Sequence, residues 1–176
     1  MTIDNKIISL LAPVADGFAG SKNFTPVNMM HYGKCAFIIQ AGVCTALGRA
    51  NFRVEVIDGL GGDFAAQTGA VTCKVKTSTN STYGDTSAAI VQVVVSGTNV
   101  SPVSFTNTVL VIEVNSADVA EAAAAAGFSA YAVRLCSDEV FDGAIVGAVV
   151  AELSEPSAPG KSGWFCSGIG YDLRIN

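Results

Sequence analysis

Short apolar runs recur along the chain, most of them alternating with polar residues, and Gly, Asn, Ser and Asp stand between them. Residues 50–57 carry the period most clearly. Phe52, Val54 and Val56 fall on one side and Asn51, Arg53 and Glu55 on the other, the two-residue period of a half-buried strand. Residues 71–77 repeat it, with Val71, Cys73 and Val75 opposing Thr72, Lys74 and Lys76. Residues 6–11, 33–41, 90–95, 109–114, 130–136 and 144–153 complete a set of eight predicted strands. Residues 144–151 are continuously apolar and small, which suits a buried strand. Asp16-Gly17, Asp58-Gly59 and Gly61-Gly62-Asp63 mark turns. Residues 12–31 read as irregular and residues 78–88 as a long polar loop.

One helix interrupts the strands. Asn115 or Asp118 can cap it, with Glu121 three residues after Asp118 in the spacing of a capping box. Residues 122–126 are all Ala, the strongest helix former, and Gly127 supplies the stop. Strands outnumber helices and mostly follow one another without helical crossovers, which disfavours a parallel α/β sheet. The predicted fold is all-β: an antiparallel β-sandwich, jelly-roll-like, of about eight strands with one short connecting helix. An immunoglobulin-like sandwich differs by one strand, so the count leaves both topologies open.

The 176 residues suit one domain, and a chain of this length buries about 70% of its unfolded surface without help from metal or disulfide. Residues 1–153 are read as the sandwich and residues 154–176 as a flexible linker with a C-terminal aromatic arm. The linker is rich in Pro, Gly and Ser. The arm holds Trp164, Phe165, Ile169, Tyr171 and Leu173, the candidate interface residues.

Composition narrows the function classes. Only 14% of residues are charged, so much of the surface is Ser, Thr, Ala, Gly and Asn. Such a surface loses little electrostatic solvation when it meets another protein. A net charge of −5 with scattered Lys and Arg argues against nucleic-acid binding, which needs clustered positive charge. No apolar run reaches bilayer-spanning length, and residues 1–11 do not read as a secretory signal. The five cysteines, Cys35, Cys44, Cys73, Cys136 and Cys166, are odd in number and lack CxxC spacing. They read as free thiols of a reducing compartment, not as a disulfide framework or a zinc site.

Candidate chemistry is sparse. His31 and Cys35 are four residues apart, but the segment between them reads as the start of a strand, where that spacing has no special geometry. Gly59-Leu60-Gly61-Gly62 lacks the GK[ST] ending of a phosphate loop, and Gly160-Lys161-Ser162 lacks the upstream Gly. Asp138, Glu139 and Asp142 form the densest acidic group, and turn or solvation roles are their default reading. The sequence therefore assigns no catalytic, cofactor-binding or metal-ligating residue, and the chain is read as a non-enzyme.

Several strand runs carry a resemblance: Phe37-Ile38-Ile39-Gln40-Ala41-Gly42-Val43, Phe52-Arg53-Val54-Glu55-Val56-Ile57-Asp58-Gly59, Val109-Leu110-Val111-Ile112-Glu113-Val114 with its short helix into Tyr131-Ala132-Val133-Arg134-Leu135, and Val146-Gly147-Ala148-Val149-Val150-Ala151-Glu152-Leu153-Ser154-Glu155-Pro156. In this order the chain resembles the capsid decoration, or cement, proteins of tailed bacteriophages over residues 1–156. The resemblance implies a β-sandwich made in the host cytoplasm that binds the exterior of the virion capsid and stabilises it. Its partners would be the major capsid protein and further copies of itself, a trimer being favoured, with no nucleic acid, membrane or cofactor. The alternative is a carbohydrate- or receptor-binding β-sandwich module of a virion fibre or tail, for which Tyr32, Phe64 and Tyr83 are the aromatics at hand.

Overall fold

The computed structural model describes residues 5–45, 49–58, 69–81, 84–87, 91–94, 106–128, 132–141 and 143–156. In chain order they form β1 (Lys6–Val14), β2 (Ser21–Asn23), β3 (Val27–Asn28), β4 (Tyr32–Cys44), β5 (Arg49–Ile57), β6 (Gly69–Ala70), β7 (Thr72–Ser81), β8 (Gly84–Ser87), β9 (Val91–Val94), β10 (Thr108–Asn115), α1 (Ser116–Ala126), β11 (Ala132–Phe141) and β12 (Ile145–Pro156). The eight strands expected from periodicity correspond to β1, β4, β5, β7, β9, β10, β11 and β12.

The four added strands lie where the apolar pattern is silent. Residues 12–31 contain β2 and β3, which pair side by side along β11. Residues 78–88 are not one loop: β7 continues to Ser81, and β8 pairs back on it from Ser87↔Ser78 to Gly84↔Ser81. Both corrections have one cause. A short strand is held by backbone ladder bonds, and these require no apolar alternation.

Every pairing is antiparallel, and the strands form two sheets. The first sheet runs β1-β12-β4-β10-β7-β8, with β9 also on β7; the second runs β2-β11-β5-β6, with β3 also on β11. Four of these pairs nest inside one another along the chain: β1 with β12, β2 and β3 with β11, β4 with β10, and β5 with β6. That is one long hairpin. Rolling it up brings β12 against β4 and β11 against β5, which gives the two Greek keys of a jelly roll. The topology left open by strand count is thus decided by pairing. β7, β8 and β9 are an insertion between the fifth and sixth positions of that roll, β6 and β10, and they widen the first sheet at one edge.

The core fills the space between the sheets. Cys35, Phe37, Ile39, Leu110, Ile112, Val149, Ala151 and Leu153 meet Phe52, Val54, Val56, Val133 and Leu135 from the facing layer. Phe18 stands edge-on to Phe52, with ring centroids 5.2 Å apart. Its ring lies over Gly147 of β12, where any Cβ would collide with it. Gly147 is therefore the recess that lets one aromatic ring bridge both layers.

α1 closes one side, burying Val119 and Ala123. Asn115 stands at its N-cap and Gly127 at its C-cap, left-handed with φ 74°. The N–H groups of Gly127 and Phe128 satisfy the carbonyls of Ala124 and Ala123 at 3.1 and 2.8 Å, a Schellman-type end. The capping box from Asp118 to Glu121 is not formed, because the helix begins earlier and Asp118 is already in its first turn. Asn115 Nδ2 instead donates to Asp118 Oδ2 at 3.1 Å. β12 also runs past the expected boundary at 153, pairing Ser154 with Lys34 and Pro156 with Tyr32.

Candidate functional site

The aromatic arm residues Trp164, Phe165, Ile169, Tyr171 and Leu173 lie outside the described residues, as do Gly59 to Gly62 and Gly160 to Ser162. His31 is exposed in the turn before β4, whereas Cys35 points into the core. Burial pushes the Cys35 thiol up to about 12. The two do not meet as a catalytic pair. Of the acidic group, Asp138 pairs with Arg53, and Glu139 accepts the Gly20 N–H at 2.7 Å. Among the described residues, no group of three or more His, Cys, Asp and Glu is placed to hold a metal ion.

Two surfaces stand out instead, the outer faces of the two sheets. On the first sheet, residues that alternate with the core point away from it: Ile7 and Ser9 of β1, Val146, Ala148, Val150 and Glu152 of β12, Ala36, Ile38 and Gln40 of β4, Val109, Val111 and Glu113 of β10, Lys74 and Lys76 of β7. Strand register sets them in rows. One row reads Ser9, Val150, Ile38, Val111, Lys76; the next reads Ile7, Glu152, Ala36, Glu113, Lys74. The middle of this face is aliphatic and small, and its charges lie to one end and one edge. Ile7 is 68% exposed and Val146 42%, while Ile38, Val111 and Val150 are half-buried.

The outer face of the second sheet is built differently. Arg53 and Glu55 of β5 lie beside Arg134, Cys136 and Asp138 of β11. They form a ladder of alternating charge: Asp138 to Arg53, Arg53 Nε to Glu55 Oε1 at 2.8 Å, and Glu55 Oε2 to Arg134 Nη2 at 2.8 Å. Cys136 Sγ donates to the same Glu55 oxygen at 3.2 Å. Arg134 is 3% exposed and Cys136 is fully buried. Burial alone would raise the Glu55 carboxyl, but hydrogen bonds from Arg134, Arg53 and Cys136 outweigh it and hold it below its ordinary range. The Cys136 thiol is pushed up to about 12, first by burial and then by its bond to Glu55.

No family model, curated protein or solved structure matches the chain. The functional reading therefore stands on the geometry. An ionised Glu55 locked by three donors is a weak base, and a thiol held neutral is a weak nucleophile. The ladder acts as a clamp across β5 and β11. The first sheet's outer face has the opposite chemistry. An antiparallel sheet with one solvated face alternates apolar with polar, and strands covered on both faces do not. β4, β10 and β12 read Phe37-Ile38-Ile39, Val109-Leu110-Val111-Ile112 and Val149-Val150-Ala151 across both faces. Those runs were the signal in the sequence. Periodicity identified the strands but did not say that their second face belongs to one continuous surface, because that requires the pairing of β12, β4 and β10.

Proposed function

We propose that this chain is a structural protein that works by packing its sandwich against other protein subunits, as a decoration or cement protein on the exterior of a phage capsid. The observation that carries this reading is the aliphatic outer face of β12, β4 and β10, strands apolar on both faces with one face open among the described residues. Leaving such a face in water forgoes burial worth about 25 cal/mol per Å², which association with another protein recovers. Contiguous apolar surface of this kind marks interaction sites. Low overall charge and the order of the strand runs support the virion setting, where many copies sum small interfaces into a large stabilisation of the shell.

The test is to purify particles on a density gradient from cells producing the phage that encodes the chain, and to measure the chain in each fraction by mass spectrometry. Co-banding with intact capsids at a fixed ratio to the major capsid protein is the expected result. A chain confined to the soluble fractions would contradict the proposal.

A further inference from the structure

We infer that the open face of the first sheet is covered by a second copy of this chain, in a face-to-face pair about a twofold axis lying parallel to the strands between β4 and β10. This deepens the reading of the chain as an assembly protein and rests on it.

Three features of the face select this occupant. The first is area. Five strands about 4.8 Å apart, each offering about eight residues at about 3.4 Å, present roughly 650 Å² of flat sheet. A stable interface buries about 800 Å² per partner, and the relief of side chains brings the face close to that. The second is shape: stacked sheets pack about 10 Å apart with interleaved aliphatic side chains, as the two layers of this sandwich already do.

The third is charge. Rotation about that axis keeps each row of residues in register and exchanges β4 with β10 and β12 with β7. In the first row Ile38 meets the partner's Val111, and Val111 meets the partner's Ile38. In the next row Glu152 of β12 comes opposite the partner's Lys74 of β7, twice by symmetry. Lys74 is exposed and Glu152 half-buried, and the two side chains together span a gap of about 10 Å. An axis running along β4 itself would instead set Glu113 against the partner's Glu152. Of these two axes, the charges favour the one between β4 and β10. An isologous face of this kind joins copies in twos, in place of the trimer expected from the resemblance.

Lys74→Glu and Glu152→Lys test this on the purified full chain by sedimentation equilibrium, with circular dichroism to confirm the fold. Each variant alone places like charges in both symmetric contacts. Its dissociation constant should rise by at least about tenfold over that of the native pair. An equimolar mixture of the two variants restores opposite charges in both contacts, and should associate to within about threefold of the native chain. The mixture keeps the inference testable even where one substitution costs stability. A native chain that is monomeric at every concentration would overturn the second copy as occupant. So would variants that associate as the native chain does, or a mixture that stays apart. Co-banding with capsids, measured separately, would stand or fall without regard to these results.

Discussion

The two outer faces of one sandwich solve opposite problems. The outer face of the second sheet carries four charged side chains, yet Arg134 is 3% exposed. The outer face of the first sheet is mostly aliphatic, yet Ile7 is 68% exposed. Taken singly, each inverts the usual rule that apolar residues go in and charged ones stay out. Together they separate two tasks. The charged face is satisfied within the chain, because Glu55 receives Arg53, Arg134 and Cys136. The aliphatic face has no comparable network among the described residues, and it is the surface we propose for another molecule.

The largest effect should come from breaking the charged face. Glu55→Ala removes the carboxylate that pairs with Arg134 at 2.8 Å, a side chain only 4% exposed. Losing one partner of a buried ion pair costs about 3–5 kcal/mol, to be measured by urea unfolding. A loss below about 1 kcal/mol would mean that the ladder is not a clamp. Next comes the layer between the faces. Gly147→Ala drives a methyl group into the Phe18 ring, and overpacking of this kind costs about 1–3 kcal/mol; Phe18→Leu in the same chain should recover part of it.

Acid should weaken the second sheet's face. The folded state holds Glu55 below its ordinary value of 4.5, so its contribution is present above that pH. The contribution is lost as pH falls through the lower folded value. The urea midpoint of the native chain should fall over that range, and Glu55→Gln should flatten the fall. The smallest effect on folding should come from the apolar face. Ile38→Thr should change the stability of the isolated subunit by under about 1 kcal/mol, measured at high dilution, while weakening association.

Much of this was legible in the sequence, and the residues show why the rest was not. Phe52, Val54 and Val56 alternate with Asn51, Arg53 and Glu55, so β5 and its inner face follow from a two-residue period. The same period puts Arg53 and Glu55 on the solvent side, and there it stops short. That Arg134 and Asp138 arrive beside them depends on the register of β5 with β11, a pairing across about 80 residues that no local pattern encodes. β2 and β8 were missed because Ser21-Lys22-Asn23 and Gly84-Asp85-Thr86-Ser87 carry no apolar alternation, and β3 because it is only two residues long. The jelly roll itself needed the nested pairs. Its aliphatic outer face was written in the unbroken runs of β4, β10 and β12, but reading it required knowing that these strands are neighbours.

The central claim, that the aliphatic face is covered by a second copy of the chain, is tested most directly by the mass in solution of Ile38→Lys beside that of the native chain. The substitution sets one charge in the middle of the face, near Glu113 and Glu152, where a single subunit tolerates it. Sedimentation equilibrium over a range of concentrations should give the native chain twice its 18.0 kDa and the variant one 18.0 kDa subunit with an unchanged fold. Identical masses for both, whether single or double, would contradict the claim.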